Sequence, residues 1–214
     1  CLTTHVDTPI VSFTGGTITG QHIAKVTAPM FKKISLELGG KNPNIVFADA
    51  NFDKAIDMAV IAGFSNQGQI CLCGSRLFIQ ESIYSKFKES LLMKVSNLIV
   101  GDPKATDSNL GAVVSESHMN KILSRIEEAK KLGGKVLIGG NRKYLAEDLA
   151  KGYYIEPTVI EGLSYDCSIN QEEIFGPVVS LIPFKTEEEV VEMANSTKYG
   201  LSASIFTENT SKAH

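Results

Sequence analysis

Residues 53–80 read DKAIDMAVIAGFSNQGQICLCGSRLFIQ. In the first part, Ala55, Ile56, Ala59, Val60 and Gly63 form an i, i+1, i+4, i+5, i+8 apolar stripe, which predicts a helix over 53–64. The last part, 75–80, alternates and predicts a strand. Between them lies a polar, glycine-containing loop with two cysteines. Helix, loop and strand in immediate succession suggest an α/β fold, and the flanking sequence repeats the pattern. Upstream, 10–14 (IVSFT) reads as a short buried strand broken by Gly15-Gly16, 17–28 as a helix, 34–38 (ISLEL) as a strand ended by Gly39-Gly40, and 44–47 as a strand. Downstream, 83–98 carries Ile83, Phe87, Leu91 and Val95 at helical spacing, and 117–132 is a charged amphipathic helix ended by Gly133-Gly134. Strands are expected at 135–138, 153–159, 178–184 and 201–206, with a helix over 186–195 capped by Thr186, Glu189 being its capping-box partner. Strands alternating with helices of this length predict a mainly parallel sheet.

The chain has 214 residues, 43% of them apolar, which is enough for one large domain or two small ones. The composition excludes a disordered chain and a disulfide-dense miniprotein. A net charge of −3 disfavours a nucleic-acid partner. No apolar run reaches the roughly 18 residues of a membrane span. Cysteines stand at 1, 71, 73 and 167, and the four histidines are scattered. Cys71-Leu72-Cys73 offers two sulfurs with no second pair to complete a tetrahedral site, so no metal is expected. Free thiols fit a reducing, cytosolic compartment. The chain opens on Cys1 and closes just after Thr207-Glu208-Asn209-Thr210, a cap signal where a helix should begin. An internal piece of a longer protein is the expectation.

Four stretches carry candidate chemistry. Asn66-Gln67-Gly68-Gln69-Ile70-Cys71 places a thiol in a polar loop between a helix and a strand, and such loops line ligand clefts in α/β proteins. A thiolate is the strongest nucleophile a side chain offers near neutral pH, although a lone cysteine is often only a small core residue. Leu36-Glu37-Leu38-Gly39-Gly40-Lys41 sets a carboxylate at the end of an apolar strand. That is either a surface position on an edge strand or a desolvated general base. Phe13-Thr14-Gly15-Gly16-Thr17-Ile18-Thr19-Gly20 is a strand–glycine–helix junction, whose N–H groups suit an anion. It lacks the G-x-G-x-x-G fingerprint, and turn-and-cap glycines explain it equally. Glu173-Ile174-Phe175-Gly176-Pro177 is a turn feeding a strand, either structural or placing a carboxylate and a ring beside a ligand.

Together and in this order, the four stretches resemble the NAD(P)-dependent aldehyde dehydrogenase superfamily, over essentially the whole chain. The resemblance implies a three-layer catalytic domain over 37–214, truncated at its C-terminus, and the C-terminal part of a Rossmann-like NAD-binding domain over 1–36. It implies Cys71 as nucleophile and Glu37 as base. It also implies that Thr14, Gly15, Gly16, Gly20, Leu38, Glu173 and Phe175 contact the cofactor, NAD by default with NADP not excluded. Gly16 departs from the family, which usually has Ser there. Ile70-Cys71-Leu72-Cys73 followed by Ser75-Arg76 looks closest to the subgroup that oxidises 2-aminomuconic semialdehyde.

The implied reaction takes a small aldehyde to an acid through a thiohemiacetal and a thioester on Cys71, in a cytoplasmic homodimer or homotetramer. Residues 1–214 alone are expected to bind NAD weakly or not at all. Two alternatives stand beside this: a thiol-dependent esterase, and a non-catalytic structural protein that retained the fold.

Overall fold

A computed structural model describes residues 2–214, the side chain of Glu147 apart; Cys1 lies outside the described residues. The chain forms two compact units, dividing between Gly40 and Lys41.

The first unit is a single strand–helix–strand turn: β1 (Ile10–Thr14), α1 (Thr17–Thr27) and β2 (Lys33–Glu37). The strands pair in parallel, with Val11 opposite Ile34 and Thr14 opposite Glu37. One helix and two strands cannot cover both faces of a sheet. The expectation of a buried strand at 10–14 is therefore corrected, since Val11 is buried but Ile10 is 60% exposed; in the strand at 34–38, Ile34 is 40% exposed and Glu37 is exposed. The division after Gly40 has a physical basis. Glu37 is the last rung of β2, and Leu38 packs against α1 at Gly20.

The second unit contains β3 (Pro43–Val46), α2 (Phe52–Phe64), β4 (Arg76–Gln80), α3 (Tyr84–Ser96), α4 (Glu116–Lys131) and β5 (Lys135–Ile138). There follow β6 (Arg142–Lys143), β7 (Tyr154–Ile155), β8 (Thr158–Glu161), α5 (Ser168–Gln171), β9 (Val178–Phe184), α6 (Glu187–Ala194), β10 (Ser204–Phe206) and α7 (Thr210–Ala213). A six-stranded sheet runs β10-β3-β4-β9-β8-β5 and is parallel except for β5, which pairs antiparallel with β8.

Alternation along the strands sends side chains to two cores. Val46, Leu77, Ile79, Val179 and Leu181 meet α2 and α3 through Ala55, Ile56, Phe87 and Leu91. On the opposite face, Ile160 and Val178 meet Met119, Ile122 and Ile126 of α4. Phe47, Phe78 and Ile182 meet Val190 and Met193 of α6 on that same side. The unit is thus helices, sheet, helices, an α/β architecture with a mostly parallel sheet.

Two local expectations need correction. The single strand over 153–159 is two, because Pro157 has no N–H to continue a ladder. β7 instead pairs antiparallel with β6. At α6, Thr186 Oγ1 accepts from Glu189 N–H at 3.2 Å as expected, but the Glu189 carboxylate accepts from Lys185 N–H at 2.6 Å, one residue before the cap. Among the described residues no helix is long and apolar enough to cross a membrane, and no group of three His, Cys, Asp or Glu side chains is placed to hold a metal ion.

Candidate functional site

In the first unit, the glycine junction and the Glu37 segment come together. Gly15 N–H donates to Glu37 C=O at 2.9 Å, extending the β1–β2 ladder by one rung. Gly20 lies so close to Leu38 that a Cβ there would sit 2.4 Å from Leu38 Cδ2. Gly16 is the N-cap of α1 in an extended conformation, and a Cβ on it would meet open space. No acidic residue stands in the first turn of α1, so the helix start carries no carboxylate of its own against its dipole. Thr14, Gly15 and Gly16 are exposed beside this helix start.

In the second unit, the cysteine loop leaves α2 through three consecutive left-handed residues: Asn66 (φ 50°), Gln67 (φ 57°) and Gly68 (φ 68°). For the two with side chains this costs on the order of 1–2 kcal/mol each, so neighbours must hold the loop in place. Gln67 Oε1 accepts from Gly111 N–H at 2.9 Å, and Gln69 Oε1 accepts from Val114 N–H at 3.1 Å. Asn66 Nδ2 donates to Gln69 C=O at 3.1 Å. Gly68 is required twice over: its φ is positive, and a Cβ would lie 2.1 Å from the carbonyl oxygen of Gly176.

Cys71 follows, half-exposed and not in a disulfide. No described residue accepts its backbone N–H, whereas Cys73 N–H closes a turn on Ile70 C=O at 3.0 Å. Asn42 Nδ2 donates to Cys71 C=O at 2.7 Å and to Cys73 C=O at 3.1 Å. Burial pushes the Cys73 thiol up, with the charges of Cys71 and Glu173 adding to it and a backbone bond to Ile70 opposing. Of the two neighbouring sulfurs, Cys73 is therefore held toward the unreactive thiol form.

Close contact between Gly68 and Gly176 joins this loop to the 173–177 turn. Within that turn Glu173 is half-buried, and Phe175 is exposed with φ 59°. The Phe175 carbonyl lies 2.6 Å from His118 Nε2. A carbonyl can only accept, so that nitrogen carries the proton. The two rings meet edge-on at 6.1 Å.

Lys41 and Arg76 are the cations beneath this surface, 2% and 1% exposed. Arg76 donates to three carbonyls, Lys41, Met193 and Ala194, one from each of its nitrogens, tying the start of β3 to the end of α6. Burial, and secondarily the Arg76 charge, lower Lys41 to about 7; Cys167 and Glu173 oppose. The unfolded chain then binds this proton more tightly than the native one between pH 7 and 10.5. Stability is expected to rise with pH through that window and to be flat with respect to this group below it. Lys41→Met should flatten the rise and stabilise the protein at pH 7 and below. Urea midpoints from pH 6 to 10 measure this, and an unchanged slope would contradict it.

All these second-unit segments precede parallel strands: Lys41 and Asn42 before β3, the cysteine loop before β4, and 173–177 before β9. They therefore gather at the amino ends of the sheet. The expectation that the cysteine loop follows the usual cleft rule for α/β sheets is corrected, since that rule concerns the carboxyl ends. A cavity of about 310 Å³ opens at the same end beside Asn42, Arg76 and Tyr199, but Cys71 does not line it. Sequence reasoning missed Asn42, Gln67 and His118 as site-forming residues. The only signal for Asn42 is its place directly after Gly39-Gly40-Lys41.

The aldehyde dehydrogenase family model matches residues 1–214. The chain is 41% identical over 215 residues to 2-aminomuconic semialdehyde dehydrogenase of Mus musculus, covering 100% of this chain and 44% of that one. It is 43% identical over 206 residues to 4-trimethylaminobutyraldehyde dehydrogenase A of Danio rerio, covering 95% of this chain and 40% of that protein. A crystal structure of betaine aldehyde dehydrogenase from Staphylococcus aureus in complex with NAD+ superimposes with a TM-score of 0.94 at 43% identity, over 99% of this chain and 42% of that one. The chain thus spans less than half the length of the relatives it matches.

Proposed function

This chain belongs to the aldehyde dehydrogenase family, and on that footing we propose that the whole protein oxidises an aldehyde to a carboxylic acid with NAD+. The observation that carries this is Cys71: a half-exposed thiol on a loop whose strain is held by side-chain bonds from every residue of its amide cluster. In the proposed reaction the Cys71 thiolate adds to the aldehyde carbon, forming a thiohemiacetal. The unshared Cys71 N–H donates to the developing oxyanion, an interaction on the order of 3 kcal/mol in acyl transfer. Loss of hydride from that adduct leaves a thioester on Cys71. Glu37 then takes a proton from water, the hydroxide attacks the thioester, and the acid departs as the thiolate re-forms.

Thr14, Gly15, Gly16, Gly20, Leu38, Glu173 and Phe175 are the proposed cofactor residues. The open start of α1, with no acidic residue in its first turn, fits a pyrophosphate; Glu173 fits a ribose hydroxyl and Phe175 a flat ring. Bound NAD+ supplies the hydride acceptor, with NADP the alternative. Residues 1–36 as the end of the cofactor domain and 37–214 as catalytic domain belong to the same reading. So do a cytoplasmic homodimer or homotetramer and little NAD affinity for residues 1–214 alone. The Cys71-Leu72-Cys73 pattern, with the 41% identity to a 2-aminomuconic semialdehyde dehydrogenase, favours that semialdehyde or a related one as substrate. Limited iodoacetamide tests the nucleophile directly. Cys71 should label first, ahead of Cys1, Cys73 and Cys167, by tryptic mass mapping; uniform labelling would remove the reading's support.

A further inference from the structure

The amide cluster 66–69 fixes the entry of the cysteine loop, yet Cys71 lies beyond it. Among the described residues, Asn42 is the one side chain that bonds the backbone of 70–73. Its amide is 3% exposed and spends both ends on main chain: Nδ2 donates to Cys71 C=O and Cys73 C=O, and Oδ1 accepts from Ser202 N–H at 3.2 Å. Two carbonyls on one side and an N–H on the other allow only this orientation of the amide. Carbonyls 71 and 73, held on one NH₂ group, fix the Cys71–Leu72 and Cys73–Gly74 peptide planes. The first of these planes anchors the carbonyl side of the Cys71 Cα, from which the sulfur projects.

We propose that Asn42 is a positioning residue for the Cys71 nucleophile, acting through the loop backbone and not on the substrate. This rests on the assignment of Cys71 above. The bond count makes a specific demand: the loop needs a donor at position 42. Asn42→Asp keeps the shape and the acceptor for Ser202, but an ionised carboxylate faces two carbonyl oxygens and pushes the loop away. Once protonated, the same carboxyl has an O–H to give to one of them. The defect is therefore expected to depend on pH and to be confined to kcat and Cys71 reactivity, with Cys167 reactivity unmoved, a combination that a purely structural role would not produce.

The test uses the complete protein. Misplacing a reacting group by about 1 Å costs roughly 100-fold, so kcat of Asn42→Asp should fall by about that factor at pH 8. KM for NAD+ should stay within about twofold, and the kcat deficit should shrink to under about tenfold at pH 5.5. Iodoacetamide reports the same geometry without turnover: Cys71 should label at least about tenfold more slowly, with Cys167 unchanged. Asn42→Ser, which can donate to one carbonyl only, should fall between and covers the case in which the aspartate variant does not fold. Wild-type labelling and kcat in the variants would overturn the inference alone. A loss of kcat accompanied by faster labelling of Cys167 would overturn it too, as simple unfolding. Slow labelling of Cys71 in the unaltered protein would sink the nucleophile assignment and this inference together.

Discussion

Cys71→Ala in the complete protein is expected to lower aldehyde oxidation by on the order of 10⁴-fold or more, as removal of a covalent nucleophile does elsewhere. Alanine leaves no atom able to bond the aldehyde carbon, and the remaining groups cannot compensate because each acts on an adduct that no longer forms. Cofactor affinity should stay within about twofold, since Cys71 is outside the proposed cofactor residues; equilibrium titration of NAD+ measures this. Cys73 is the control. It sits two residues along the same loop, but burial and the charges of Cys71 and Glu173 keep its thiol protonated. Cys73→Ala should therefore retain most of the turnover. A Cys71→Ala protein that keeps more than about 1% of its rate, or a Cys73→Ala protein that loses all of it, would move the chemistry to another group.

How much of this was legible in the sequence depends on the range of the interaction concerned. The α2 stripe at Ala55, Ile56 and Ala59 is local and periodic, and its burial follows directly. Gly68 is visible as a glycine, but its reason is not: it is made indispensable by Gly176, more than a hundred residues away. Glu37 illustrates a different limit. The strand's composition left a surface position and a desolvated base equally open, and β2, with one partner strand and one helix among the described residues, leaves the position exposed. Neighbour count, and not strand composition, decides burial. Pro157 was readable as a ladder breaker in isolation, but the β6 partner that rescues β7 consists of Arg142 and Lys143, whose charges carry no strand signal. Asn42 was hidden for a related reason. An asparagine beside Gly40-Lys41 reads as turn chemistry until the fold brings Cys71, Cys73 and Ser202 around it.

Glu37→Gln separates the two halves of the proposed reaction. Glutamine keeps the size and planarity of the side chain and can still accept a hydrogen bond, but it cannot take the proton of an attacking water. Thiohemiacetal formation and hydride loss do not require that proton transfer, whereas thioester hydrolysis does. A positioned base contributes roughly 10²–10⁴-fold, so the steady-state rate should fall by a factor in that range while the first turnover stays fast. Stopped-flow absorbance should then show a burst of close to one reduced cofactor per site, followed by a slow phase. Intact-mass spectrometry of quenched samples should show the acyl group on Cys71 in the burst-aged variant and not in the unaltered protein. The exposure of Glu37 does not weaken this expectation, because an exposed carboxylate has water to activate and the distinguishing observable is the accumulated thioester. A variant with neither burst nor acyl adduct but a slow first turnover would place Glu37 before hydride loss, deprotonating the thiol. An unchanged steady-state rate would remove it from the mechanism altogether.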